Sequence, residues 1–376
     1  GADRYVLALV EQLGVRDKLI NYSEQQTGFD VTVMRGGQTH TVNFMSIASY
    51  FGWTGVSLGA RLSMVKLLPH LIRYGRVDQY HPENAPGADE ETMEEFFHNR
   101  INAEMFEYWL QPTMDVFCSY KPDDLSAKMM LLLLGSYLDQ KLYTFEGGIG
   151  FLPETLASRL DVTTGAVVRS ITLRPDGSGA TVHYTVEGQE KGLDCDRVVM
   201  ATPGDVALDL FEEPRPAWRA FFPTVGYTRV GLVYAILEGD EPELDEGGIM
   251  FPRHEPWQIA ALGWKRHPDG RVWVMSDIKA HLYDPAISDE ELLETITGEM
   301  LRAMPLFEGR IRARRTFRWP RKVPTFRVGY LDALAAFWAN PQEGPVYFCG
   351  DYLIGPSAGS ALASGWMCVD RALESI

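Results

Sequence analysis

The sequence predicts a mixed fold, part α/β and part α+β, in which segments of two domains alternate along the chain. Three observations carry that expectation. The C-terminal segment reads as a buried strand (Val346–Cys349), a Gly350-Asp351 turn and a helix opening on Gly359 and Ser360. A second βα-like stretch runs from the Gly147-Gly148 loop to the apolar run Arg197–Ala201. Before and between these lie a long helical block and several strands of alternating polarity, an order that exchanged segments explain better than independent beads.

In chain order, residues 1–20 read as a helix, because Tyr5, Leu7, Leu9, Val10, Leu13 and Leu19 supply an apolar stripe. Residues 29–34 and 39–44 flank Gly36-Gly37, the pattern of a tight hairpin. From Ser46 to Tyr143 the pattern is helical, interrupted by the Pro- and Gly-containing loop His81–Glu90. Residues 92–109 repeat apolar side chains at three- and four-residue steps, Pro122–Ser126 supplies capping residues for a further helix, and Met129–Leu134 reads as a buried helix turn. The glycine loop 145–150 enters a short helix. Strands follow at 165–171, 180–186 and 197–201, with turns at Pro175–Gly177 and Glu187-Gly188. Further strands are expected at 228–236, 258–262 and 272–275, then a helix opened by the capping box Ser288–Glu291, then a strand over 310–318. The expected segments are therefore 1–45, 46–143, 144–210, 211–325 and 326–376.

Composition bounds the function. The chain has 376 residues, 45% hydrophobic and 23% charged, enough for a substantial core. Its formal net charge of −16 argues against nucleic acid or an anionic membrane as the main partner. No apolar run reaches the length of a transmembrane segment. A basic strip does occur at Arg310, Arg312, Arg314, Arg315, Arg318, Arg321 and Lys322; it reads as a solvated strand face or as a site for an acidic substrate. Cys118, Cys195, Cys349 and Cys368 are too far apart for a C-x-x-C or zinc pattern. Buried thiols in a reducing, cytoplasmic compartment are the expectation, and no metal is expected. No G-x-S-x-G elbow supports serine hydrolase chemistry.

The C-terminal strand–turn–helix suits a bulky polar cofactor. Asp351 at a strand end can accept hydrogen bonds from sugar or polyol hydroxyls, and the helix start at Gly359, Ser360 and Ala361 offers N–H donors and a positive dipole end. An ordinary βα unit with a tight helix contact has the same spacing. The segment Phe348, Gly350-Asp351, Ser360-Ala361, Ser364-Gly365 resembles the C-terminal flavin-binding signature of the flavin amine oxidase, protoporphyrinogen oxidase and carotenoid desaturase superfamily, with Ser360 in place of the usual first glycine. Two further stretches resemble that superfamily, in the same order. In residues 145–203, Val168 corresponds to the strand valine whose backbone touches the adenine. In Arg318–Tyr330, the resemblance places Trp319 near the isoalloxazine and Tyr330 on the substrate side.

The resemblance implies an FAD-binding domain interleaved with a substrate domain of antiparallel sheet and helices. Residues 1–45, 144–210 and 326–376 fall to the former, 46–143 and 211–325 to the latter. It implies FAD-dependent dehydrogenation of a C–N or C–C bond in a small apolar or aromatic substrate. His98, Arg100 and Trp109 (with Tyr108) sit where porphyrinogen oxidases have their substrate region, as contacts or as ordinary packed residues. Arg229 is close to, but out of register with, the strand lysine of many amine oxidases; the strand Thr228–Leu232 has no lysine, which favours the porphyrinogen oxidase or desaturase side. The superfamily's N-terminal G-x-G-x-x-G turn has no counterpart in this sequence, so the Rossmann-like half is expected to be incomplete here. The expectation is that this segment is truncated or carried on a second polypeptide; the alternative is a non-catalytic, FAD-free relative that binds a ligand or partner.

Overall fold

The computed structural model describes residues 4–21, 30–43, 47–137, 143–340 and 344–374. Phe29 and Phe44, the outer ends of the expected hairpin, lie outside them; its interior is the strand pair Asp30–Arg35 and Gln38–Asn43. Gly36 and Gly37 turn it with φ of +57° and +78°, the left-handed pair a two-residue hairpin requires.

That hairpin forms one edge of a seven-stranded sheet. The order across it is Ile311–Trp319, Val230–Leu237, Val272–Ile278, Ile259–Arg266, Glu246–Met250, Asp30–Arg35 and Gln38–Asn43. Every neighbour is antiparallel except Met250 with Val33, the parallel contact that joins the hairpin to the rest. The 15-residue helix Asp289–Ala303 covers one face. Ser288 caps it, its side chain accepting from the Glu291 N–H. Leu292, Ile296 and Met300, all fully buried, join Val233, Ile259, Leu262 and Val274 in one cluster. Each such burial contributes about 1.5–3 kcal/mol. The helix sits so close that a Cβ at Gly231 would meet Leu292 at 2.6 Å.

A second layer holds the parallel pair Val346–Phe348 and Val198–Met200, register Phe348 to Met200. Beside it lies the antiparallel meander Val167–Leu173, Ala180–Val186, Gln189–Cys195. Phe348 packs on Trp218 and Phe222, with ring centroids 4.9 and 4.6 Å away.

Two expectations are corrected. The helix expected over 1–20 ends at Leu13, because Gly14 takes φ +68° and the chain then passes through a short turn into the strand Leu19–Asn21, paired with Tyr143–Phe145. Residues 92–109 are not one regular helix. A capping box, Thr92 with Glu95, starts it; π turns occupy Phe97–Ile101 and Phe106–Leu110; and Asn102 adopts extended backbone, its side chain accepting from the Met105 N–H to restart the helix. Apolar steps of three and four residues tolerate such wide turns, so periodicity alone does not expose them. The run Met129–Leu132 is buried in the helix Ala127–Tyr137, as expected.

Candidate active site

The Val198–Met200 and Val346–Phe348 strands run parallel, so both C-terminal ends open at one edge, where ligands of such sheets sit. Gly350 follows there, its N–H donating to the Ser364 hydroxyl at 3.0 Å. A Cβ on Gly350 would meet the Tyr352 ring at 2.3 Å, so only glycine fits between strand and turn. Asp351 opens the turn Asp351–Leu353; burial pushes its carboxyl up to about 6, against nearby backbone N–H groups that hold it down. Just past the end of the neighbouring strand, the Thr202 hydroxyl oxygen is buried without a partner among the described residues. Next comes the 17-residue helix Ala358–Glu374. Ser357 caps it: its hydroxyl accepts from the Ser360 N–H at 3.0 Å, and its carbonyl from the Ala361 N–H at 3.1 Å. Capping thus engages the Ser360 and Ala361 donors. The first turn retains Gly359, where an added Cβ would find nothing nearer than 3.8 Å.

The sheet face away from the Asp289–Ala303 helix borders a cleft of about 760 Å³. Tyr234, Trp273 and Met275 project into it from neighbouring strands, with Val116 and Phe117 opposite. Met275 pairs with Tyr234 on one side and Gly263 on the other, and the glycine keeps the floor low. Along Ile311–Trp319, alternation divides the basic strip. Arg314 and Arg318 turn to the covering helix and pair with Glu294 and Asp289 at 2.6 and 2.5 Å, while Arg312 pairs with Glu238. Arg315, Phe317 and Trp319 share the opposite side, the cleft side, where Phe317 packs edge-on against Tyr234 at 5.4 Å. The strip is therefore largely paired with acids, and an acidic-substrate site finds no support in it.

The other expected residues separate. Val168 lies on the meander's outer strand, 39% exposed. Trp319 is 53% exposed at the end of its strand. Tyr330 is not on a substrate-facing surface: it starts the apolar helix Tyr330–Ala339, is buried against Phe221 and Phe326, and its hydroxyl donates to the Tyr352 carbonyl at 2.7 Å. Its role is to pin the turn that carries Asp351. Tyr330→Phe is expected to cost about 1 kcal/mol of stability in urea unfolding and to leave KM unchanged. Trp109 is likewise core, its indole N–H donating to the Tyr50 hydroxyl at 2.9 Å. Arg100 pairs with Glu91 at 2.8 Å on the surface, and Arg229 is exposed. His98 is exposed 3.6 Å from Glu107, within a knot in which Arg253 donates to both Glu94 and Glu107. That guanidinium satisfies the two carboxylates. None of His98, Arg100, Trp109 or Arg229 lines the cleft.

The profile of the family described as flavin containing amine oxidoreductase matches residues 1–373. The chain belongs to that family. Among curated proteins it is similar to the chloroplastic protoporphyrinogen oxidase of Oryza sativa subsp. japonica, 24% identical over 354 residues, covering 77% of this chain and 63% of that protein. It spans less than two thirds of the length of such relatives. Among solved structures it resembles a putrescine oxidase redesigned in its cofactor binding (TM-score 0.73, 16% identity, 99% of this chain and 86% of that one). It also resembles the cyclohexylamine oxidase of Brevibacterium oxydans (TM-score 0.72, 14% identity, 99% and 85%). At these identities the structural likeness establishes the fold. The family is one of flavin-dependent oxidoreductases, so a flavin is the cofactor its members carry.

In this chain the wall of the cleft hides a polar knot that motif reading missed. Asp277, on the same side of its strand as Trp273 and Met275, is buried with Oδ1 unpartnered among the described residues, and burial pushes its carboxyl up to about 7. Asp115, on the helix Gln111–Cys118, is pushed by burial to about 6 even though its Oδ1 accepts from the Ala280 N–H at 3.1 Å. Lys322 lies close enough to oppose both shifts; its ammonium donates to the Val116 carbonyl and Ser119 hydroxyl at 3.1 and 3.0 Å. Lys279, fully buried, caps the carbonyls of Pro252 and Glu255 at 2.7 and 2.9 Å, and burial lowers it to about 8. The signal available in sequence was slight: an Asp inside, and a Lys just after, the apolar strand Val272–Ile278.

Proposed function

We propose that this chain supplies the flavin-end seat and the substrate cleft of an FAD-dependent oxidoreductase that dehydrogenates a C–N or C–C bond in a small apolar or aromatic molecule. The observation that carries the reading is the cleft: a largely apolar floor of Tyr234, Trp273 and Met275 on the sheet side that also presents Trp319. The seat fits the cofactor on the residues present. Asp351 and the unpartnered Thr202 hydroxyl lie at adjacent strand ends and suit a polyol arm, and Gly359 leaves the helix start approachable by a ring. Bound FAD would supply the hydride acceptor. The protein's part is to hold the substrate flat against Tyr234 and Trp273, exclude water with the same side chains, and present the dipole end of the Ala358–Glu374 helix to electron-rich ligand atoms. The cofactor's pyrophosphate is assigned to a segment outside these residues. Val199, 45% exposed on the strand paired with Val346–Phe348, suits contact with such a segment.

The plant protoporphyrinogen oxidase relative and the amine oxidase structures suggest the two substrate classes to try. In the native polypeptide carrying this chain, FAD should be retained through gel filtration, and its absorbance should bleach anaerobically with hydrophobic amines or with porphyrinogens. Retention with bleaching by one class supports the reading. A protein that takes up no FAD, or whose flavin neither class reduces, defeats it.

A further inference from the structure

A second cavity lies apart from the cleft. It encloses about 160 Å³ between the helix Ala358–Glu374, the helix Tyr330–Ala339 and the turn Pro82–Asn84. No residue lines both spaces. Ser364, Met367 and Arg371, at steps of three and four residues, give the cavity one face of the C-terminal helix, while Cys368 and Ala372 pack with Tyr347 and Cys349 on the strand side. Trp338, Leu353 and Ile354 supply apolar walls. From Gly359 to Arg371 the helix rises about 18 Å, so the charged end of the cavity is also remote from the helix start.

The charges around this cavity do not balance within the protein. Glu83 and the His81 ring share a hydrogen bond of 3.0 Å, which raises the imidazole and makes the two a pair. Arg371 has no such acceptor. Among the described residues it makes no hydrogen bond or ion pair, and Glu83 and Glu374 act on it only from a distance. Burial lowers its guanidinium from the ordinary arginine value. Its Cζ stands 4.3 Å from the centroid of the Trp338 ring, which covers one face of the guanidinium plane and leaves the N–H edge for an acceptor. A half-buried fork of donors without a protein acceptor matches a carboxylate. Volume sets the rest of the ligand, since an apolar cavity of about 150 Å³ holds a benzene ring. We propose that this cavity binds a small monocarboxylate with an aromatic or branched body, the carboxylate paired to Arg371 and the body held among Trp338, Leu353, Ile354 and Met367. An inorganic anion fits poorly, because the walls beyond the guanidinium are apolar. Leu353 and Ile354 belong to the turn that Asp351 opens, so the occupant rests against that turn.

The test is calorimetric titration of the purified protein, in a buffer free of carboxylates, with benzoate and with its neutral isostere benzamide. Benzoate should bind with a Kd of about 1 mM or tighter, and benzamide about tenfold or more weakly. Arg371→Gln should weaken benzoate by a similar factor and leave benzamide little changed. Circular dichroism checks folding, and the comparison of the two probes on the wild-type protein carries the test should the variant unfold. No binding at millimolar benzoate overturns the proposal. So does equal affinity for the two probes, or benzoate binding that survives Arg371→Gln. Binding lost in Trp273→Ala but kept in Arg371→Gln would place benzoate in the cleft and overturn it as well. None of these readouts depends on flavin.

Discussion

Asp351→Ala is expected to weaken FAD retention by about 2–3 kcal/mol, roughly 30- to 150-fold in Kd, the usual worth of a hydrogen bond to a charged acceptor. The carboxyl sits at a strand end, buried enough to titrate near 6 without ligand. A polyol hydroxyl donating to it stabilises the ionised form. Affinity should therefore be full above pH 6 and fall as pH drops through 6, because protonation removes the acceptor's charge. For the unliganded fold the sign is opposite. The folded value lies above the usual 3.8, so the group's contribution to stability is complete below 3.8 and is lost as pH rises through 6. Asp351→Asn should flatten the pH dependence of binding. Flavin fluorescence titrations of wild type and both variants between pH 5 and 8 check this; an unchanged Kd in Asp351→Ala would remove the carboxylate from the site.

The strands were readable wherever alternation or an apolar run was clean. Residues 180–186 came out with their observed ends, and 228–236, 272–275 and 310–318 were placed within a few residues. The C-terminal strand, turn and helix were readable because Gly350 and Ser364 interact within one short βα unit. What escaped depends on contacts distant in sequence. That the N-terminal hairpin joins the main sheet rests on Val33 meeting Met250 in parallel, which no local pattern encodes. Which face of the sheet meets the cleft was decided by the Asp289–Ala303 helix taking the other, so Tyr234, Trp273 and Met275 looked like any alternating residues. Tyr330 misled for a related reason. Its place in the stretch beginning at Trp319 suggested a substrate contact, but the intervening chain reverses at Gly329, with φ +83°, and sends the ring into the core.

Asp277→Asn is expected to stabilise the protein, and by more as the pH rises. The carboxyl titrates near 7 in the fold against a usual 3.8, so the folded chain keeps a proton that the unfolded chain has released. Its contribution to stability is complete below 3.8 and is lost as pH rises through 7. Asparagine suffers no such loss. The gap between variant and wild type should widen by about 2–3 kcal/mol from pH 5 to pH 8 and then level off, at 1.36 kcal/mol per pH unit over the interval in which only the unfolded carboxyl is ionised. Urea unfolding at the two pH values measures it, and parallel stability curves would sink the assignment. Nor does Lys322 cancel the cost, since its ammonium is shared with the Val116 carbonyl and the Ser119 hydroxyl. An apolar residue at 277 would remove the loss altogether, yet the chain places a second buried acid, Asp115, in the same knot directly behind Val116 of the cleft wall. A penalty of this size beside the proposed substrate cleft fits a position kept for function at the expense of stability. The matching kinetic expectation is that Asp277→Asn, although more stable, turns over substrate more slowly at pH 8 than wild type.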